Sequence, residues 1–302
     1  MRLSLIVLLK GDRMHRVYVS VPVWGERCLS VFCATALPAL EKAMNKLECD
    51  SVLVVHTDQP RLIRDSATSL KVHALPVPAG LREFDCMSQA HREVFNMAII
   101  DDVVVPLTAD MVISEDSLLF CDSRLANGST KLIACAAPRA LQEGMLPEKL
   151  NGVNLLAWAW KNRHPMTSQA LWPNGKTGDL SRTYFVTKNG GVVARWCLPH
   201  PLAIKIDNRV LSFTPTVDAN LINNFHPAEI HVVTTPLELG VVELSPRDKG
   251  FSLTDSGIHE KLESGTVKIY NQLQRWVLNH KIMIVGEPEQ GDDDMFVRRV
   301  LS

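Results

Sequence analysis

The chain reads as an α/β protein: a Rossmann-like, mostly parallel central sheet flanked by helices, with a smaller mixed C-terminal part. Three observations predict this. Through residue 107, apolar β-rich runs alternate with helical stretches in the order β-α-β-α-β-α-β, which implies right-handed crossovers. Val103, Val104, Val105 and Leu107 form a short apolar run of the kind found in buried strands. Charged residues close several strands, namely Glu26, Asp58 and Asp110, and open α/β sheets gather ligands outside the carboxyl ends of their strands.

In chain order, residues 1–13 hold an apolar run, Leu3 to Leu9, too short to span a bilayer and followed by no small-residue cleavage site. It suits an edge strand. Equally, Lys10-Gly11-Asp12 is encodable as a purine-rich, ribosome-binding-like run ahead of Met14, which makes Met14 a candidate start. VYVSVPVW at 17–24 is a strand. Residues 26–47 carry Leu29, Phe32, Leu37, Leu40, Ala43 and Met44 at helical spacing, and Pro38 should kink or split that helix. SVLVVHTD at 51–58 is the second strand, 60–70 a short helix, and KVHALPVP at 71–78 the third strand. Residues 86–99 form a helix with Ala90, Val94 and Met97 on its apolar side, leading into the strand at 103. That strand stops at Thr108-Ala109-Asp110. Ser114 is placed to cap the next helix, with Glu115 and Asp116 in its first turn and Gly128 as its stop.

The second half is less regular. LIACAAP at 132–138 is a strand, and 147–163 a helix bearing Leu155, Leu156, Trp158 and Trp160. The stretch 164–181 is loop-like. Residues 183–206 give a strand, an Asn189-Gly190-Gly191 turn and a second apolar run. Short strands are expected at 210–213, 230–233 and 241–244, a helix at about 256–280, and a solvated acidic tail at 287–294.

Composition narrows the function classes. The chain has 302 residues, 46% hydrophobic and 22% charged, enough to bury a large core. A formal net charge of −1 gives nothing to attract nucleic acid or an anionic membrane. The seven cysteines are scattered, odd in number and without a CxxC pair, as expected of reduced thiols in a cytoplasmic protein. Dinucleotide, zinc-protease and serine-hydrolase signatures are absent: there is no GxGxxG, HExxH or GxSxG. Gly175-Lys176-Thr177 fails as a phosphate loop, because Ala170 stands where the first glycine belongs and Pro173 lies inside. Three consecutive carboxylates, Asp292 to Asp294, cannot converge on one metal ion from a helix or strand.

Four pieces together resemble the GT-A fold glycosyltransferases that use nucleotide sugars. They are YVSVPVWGE with its following helix, VLVVHTD, the stretch from HREVFNMAI to VVVPLTADMVISEDSL, and YFVTKNGGVVARWCLPHPLAI. The likeness is one of order and pattern over roughly residues 15–235. It implies a nucleotide-sugar-binding half at 14–130 and an acceptor-side half at 131–302, in one compact domain. It also implies transfer of a sugar from a nucleoside-diphosphate sugar to a glycan or other acceptor, as in polysaccharide biosynthesis. One departure stands out. The family carries Asp-x-Asp at the end of its fourth strand to hold Mn²⁺ or Mg²⁺, and here the triplet is Thr108-Ala109-Asp110. A single carboxylate still suffices for Mg²⁺ when substrate phosphates complete the shell.

By the same resemblance, Pro22, Trp24, Glu26 and Asp58 line the nucleotide pocket, with Arg92 and Thr108 beside the phosphates. Asp110 would hold the metal with His231 or His226 as an added ligand. Asp218 is the candidate base and His200 the candidate sugar or acceptor contact. Trp158, Trp160 and Trp172 are candidates for stacking on a sugar face. Each has a plain alternative: Asp58 and Asp110 as strand-end turn residues, Arg92 on a solvated helix face, the histidines as structural, the tryptophans as core. Two rival functions stay open, a sugar-1-phosphate nucleotidyltransferase and a non-catalytic GT-A-like binding domain. The first wants a glycine-rich, arginine-containing loop after the first strand, where VPVWGERCLS has a single glycine.

Overall fold

The computed structural model describes residues 15–67, 69–78, 81, 83–172, 182–213, 221–248, 271–286 and 292–301. The first half runs β1 (Arg16–Val23), α1 (Glu26–Val31), α2 (Leu37–Met44), β2 (Asp50–Thr57), α3 (Pro60–Ser66), β3 (Val72–Leu75), α4 (Glu83–Met97), β4 (Val103–Pro106), β5 (Met111–Ile113) and α5 (Ser117–Ala126). Then come β6 (Leu132–Cys135), β7 (Arg139–Leu141), α6 (Gly152–Lys161), α7 (Pro165–Gln169), β8 (Arg182–Val186), β9 (Val192–Trp196) and β10 (His200–Lys205). The chain closes with β11 (Ile230–Val232), β12 (Val241–Ser245), α8 (Gln272–Leu278), β13 (Ile282–Val285) and α9 (Asp292–Leu301).

The central sheet has seven strands in the order β11-β6-β10-β4-β1-β2-β3. Strands β3, β2, β1 and β4 run parallel to one another, while β10 is antiparallel to both β4 and β6. The expected mixed α/β architecture with a mostly parallel sheet is therefore present. Its central strands are almost wholly buried: β1 has seven of eight residues buried and β4 all four, whereas edge strand β3 has none. Burial on both faces explains why they are unbroken Val-rich runs without polar alternation. Two three-stranded sheets flank it, β5-β12-β7 and β13-β9-β8. One hydrophobic cluster reaches from Val17 to Ile284 and draws on both halves of the sequence. No helix among the described residues is long and apolar enough to cross a membrane.

The helix after β1 splits as Pro38 demands, but just upstream of it. Phe32–Ala36 form a π-turn in which Leu37 N bonds Phe32 O, and Pro38 then sits in the first turn of α2. The wider turn accommodates a residue without an N–H, whose ring would otherwise crowd the carbonyl of Ala34.

Several local expectations are corrected. Ser114 does not cap α5. The chain first pairs as β5 with β12, and α5 starts at Ser117 with Asp116 at its N-cap. Ser114 is buried instead, with Oγ 2.7 Å from Ser117 Oγ and accepting from Gly240 N at 3.0 Å. Residues 210–213 are not a strand: Ser212 N bonds the Asn224 side chain, and Phe213 packs edge-on against Phe95. The acidic end is not simply solvated. Asp293 is buried at the start of α9 and, with Asp294, meets Arg195 at 2.7 Å. Residues 1–13, 173–181, most of 256–280 and 287–291 lie outside the described residues. None of the seven cysteines is in a disulfide.

Candidate functional site

The order β3-β2-β1-β4 contains a reversal. The chain steps outward from β1 to β2 and β3, then returns through α4 to place β4 on the other side of β1. A crevice opens outside the strand ends at such a switch point. The segments that leave it are Trp24-Gly25-Glu26 after β1 and Leu107 to Asp110 after β4. Backbone pairing continues to the rim, where Leu107 N donates to Ser20 O at 2.9 Å.

The loop after β1 turns on Gly25, whose φ of +79° suits a residue without Cβ. Asp58, just beyond β2, accepts a hydrogen bond from Gly25 N at 3.2 Å and ties the two strand ends together. Trp24 is half-buried, Glu26 exposed in the first turn of α1, and Pro22 buried within β1. On the other side of the switch point, Thr108 donates to Asp110 Oδ1 at 2.5 Å. Asp110 O accepts from Leu244 N at 2.8 Å, so the flanking β5-β12 sheet holds the turn. Asp110 lines a cavity of about 380 Å³ with Arg27, Cys28, Gln142, Pro246 and Asp248. Two carboxylates and a guanidinium thus share one chamber at the strand ends. Asp110 and Asp248 suit a divalent cation whose shell is completed by phosphate oxygens, and Arg27 suits a phosphate.

Polar pairs sit beneath the crevice, between the sheet and α4. Ser20 Oγ lies 2.8 Å from His91 Nδ1, and His56 Nε2 lies 2.9 Å from Glu93. His56 is fully buried, and its Nδ1 has no hydrogen-bond partner among the described residues. His200 is buried at the start of β10, where its Nε2 donates to Pro106 O at 3.0 Å. That bond braces the end of β4 behind the Asp110 turn.

The structure brings together Trp24, Glu26, Asp58, Thr108 and Asp110 at one end of the sheet, but not every residue singled out from the sequence. His231 lies on β11, three strands from β4, or about 14 Å at ordinary strand spacing. Its ring nitrogens face Arg124 at 3.2 Å and Glu238 at 3.1 Å. His226 caps a 3-10 turn through Ala228 N. Arg92 lies over the Phe213 ring, lining a separate groove of about 1090 Å³ with Ile99, Lys205 and Arg209. Trp160 packs on Tyr184, and Trp172 on Phe185 and Phe296. Asp218 lies outside the described residues. The sequence reading passed over Arg27, Cys28 and Asp248. Arg27 was discoverable as a cation just after the first strand. Nothing in the local sequence of Asp248 signals that it lines the same cavity as Asp110.

No protein-family model matches the chain, and no curated protein matches it. Among solved structures it is similar to S. aureus TarS, with a TM-score of 0.31 and 17% identity over 45% of this chain and 23% of that one. It is likewise similar to S. aureus TarS 1-349 in complex with UDP-GlcNAc, at 0.31 and 17% over 45% of this chain and 37% of that one. The complex of TarS 1-349 with UDP gives 0.32 and 13% over 44% and 38%. The chain spans less than two fifths of each of these proteins.

Proposed function

We propose that this chain is a glycosyltransferase that takes its sugar from a nucleoside diphosphate. The observation that carries the reading is the chamber beside the β4 strand end, which Asp110, Asp248 and Arg27 all line. The base and ribose would lie against Trp24 and the Asp58-braced Gly25 loop. Asp110 and Asp248 would hold Mn²⁺ or Mg²⁺ against the diphosphate, and the ion supplies charge stabilisation to the leaving group. Arg27 would neutralise a phosphate oxygen. In transfer the bond from the anomeric carbon to the phosphate oxygen breaks, and a bond to the acceptor oxygen forms. The acceptor proton passes to a carboxylate, for which Asp218 is the candidate. A glycan acceptor and a cytoplasmic location belong to the same proposal.

A second reading, a binding domain without turnover, is favoured by one observation: a Thr108 hydroxyl engages Asp110 where a second acid is expected. Calorimetry with UDP, GDP, ADP and CDP, with and without Mn²⁺, tests the pocket. Release of labelled sugar from the matching nucleotide sugar separates enzyme from binder. Absence of binding by any of the four at millimolar concentration overturns both readings.

A further inference from the structure

His15, Cys49 and Asp122 converge at the opposite end of the sheet. His15 immediately precedes β1, Cys49 immediately precedes β2, and Asp122 lies on α5. Because β1 and β2 are parallel, both strand starts face away from the Asp110 chamber. An eight-residue strand separates the two ends by about 25 Å. One ligand atom from each of the three residues lies within 4.8 Å of the other two. His15 Nε2 is 2.5 Å from Asp122 Oδ1, and Cys49 Sγ is 3.9 Å from Oδ2 of the same carboxylate. All three residues are half-buried. The neighbouring Asp50 is turned to Arg16 and Lys71 instead.

We propose that His15, Cys49 and Asp122 form a three-ligand zinc site that clips the starts of β1 and β2 to α5. The donor set argues for the ion. One imidazole, one thiolate and one carboxylate are borderline ligands that suit Zn²⁺ and disfavour Mg²⁺ or Ca²⁺, which take all-oxygen shells. Charge argues for it as well: a dication against one thiolate and one carboxylate sums to zero in a half-buried place. In a tetrahedral zinc shell the donor atoms stand about 3.5 Å apart. His15 and Asp122 therefore need to open by about 1 Å, and Cys49, within 4.8 Å of the other ligand atoms, to close by about 1 Å, which is within side-chain adjustment. The fourth position is left for water. Without the ion, burial and then the Asp122 carboxylate push the Cys49 thiol up to about 11, so binding displaces the thiol proton into solvent. The site is independent of the nucleotide reading, since it shares no residue with the Asp110 chamber.

The test uses the full-length, tag-free chain stripped of metal and titrated with Co²⁺. A thiolate-to-Co²⁺ charge-transfer band with strong ligand-field absorption is expected. Cys49→Ser abolishes the band, and His15→Ala or Asp122→Asn weakens Co²⁺ binding by at least roughly tenfold. Cys28→Ala keeps it, although Cys28 lines the Asp110 chamber. Melting with Zn²⁺ gives a second readout. Zn²⁺ raises the Tm of the wild-type chain through binding to the folded state and raises that of Asp122→Asn by clearly less at the same concentration. No thiolate band at excess Co²⁺, a band that survives Cys49→Ser, or a Zn²⁺ shift undiminished in Asp122→Asn each overturns the site and leaves a His–Asp pair beside a protonated thiol.

Discussion

Thr108 and Asp110 stand two residues apart across the turn after β4, and the threonine hydroxyl donates to the aspartate Oδ1 at 2.5 Å. The backbone closes the same turn, with Met111 N bonded to Thr108 O at 3.1 Å. Asp110→Asn is nearly isosteric and half-buried, so stability should move by about 1 kcal/mol or less. Mn²⁺-dependent nucleoside diphosphate affinity should fall, and turnover should drop by roughly a hundredfold, the scale for one preorganised electrostatic contact. Unchanged affinity together with unchanged turnover would leave Asp110 a turn residue.

Thr108→Asp puts a second carboxylate where a hydroxyl now sits. Cation affinity follows the count of charged ligands. The variant should bind Mn²⁺ more tightly than wild type, by roughly tenfold, in a direct calorimetric titration. Equal affinities would mean that this turn does not face a cation.

Gly152 opens α6 against the segment leading into β12. A Cβ there would collide with Pro236 O and come within 2.8 Å of the Leu239 carbonyl carbon, which is backbone and cannot swing aside. Gly152→Ala should cost about 3 kcal/mol. Gly128 has a φ of +80° but open space around it. Gly128→Ala should therefore cost only its conformational strain, about 1 kcal/mol. Urea unfolding of the two variants side by side decides whether close packing or backbone strain dominates.

Arg195 on β9 is 4% exposed and meets both Asp293 and Asp294 at 2.7 Å, while Lys281 approaches Asp293 at 3.3 Å. Arg195→Met leaves Asp293 buried with Lys281 as its remaining cation. The expected loss is about 3 kcal/mol. Adding Asp293→Leu removes the stranded charge and should recover most of it. A double variant no more stable than Arg195→Met would refute the ion pair as the cause.

The carboxylates of Asp207 and Glu229 are both held below their ordinary values, chiefly by hydrogen bonds from Arg209. Their folded-state values are depressed, so the unfolded chain binds more protons in that window and stability rises with pH. The contribution is complete above the ordinary carboxylate range, about pH 4, and is lost as pH falls through the folded values. Arg209→Gln should flatten the acid limb of a Tm-against-pH profile and leave the region above pH 6 nearly parallel to wild type. An acid limb as steep as wild type would remove these pairs as its origin.

The order of strands and helices through β4 was legible because each strand is a continuous apolar run and each helix carries a stripe. Both patterns are local consequences of burial. The residues that end β1, β2 and β4 were legible for the same reason: a polar residue stopping an apolar run marks the rim. Residues brought together by long-range pairing were not. Asp248 lines the same cavity as Asp110 because β12 adds to β5 across more than a hundred residues, and His231 leaves the rim because β11 takes the far edge of the sheet. Asp292 to Asp294 look solvated as a string of charges, yet two of them converge on an arginine from β9. Ser114 has the identity of a cap and becomes a buried brace for Gly240, because pairing of β5 postpones the helix by two residues. Local sequence determines which face of an element is apolar and where that element stops. Which distant polar residue meets which is decided only in the tertiary structure, where a buried charge or hydroxyl must find a partner that the chain itself places far away.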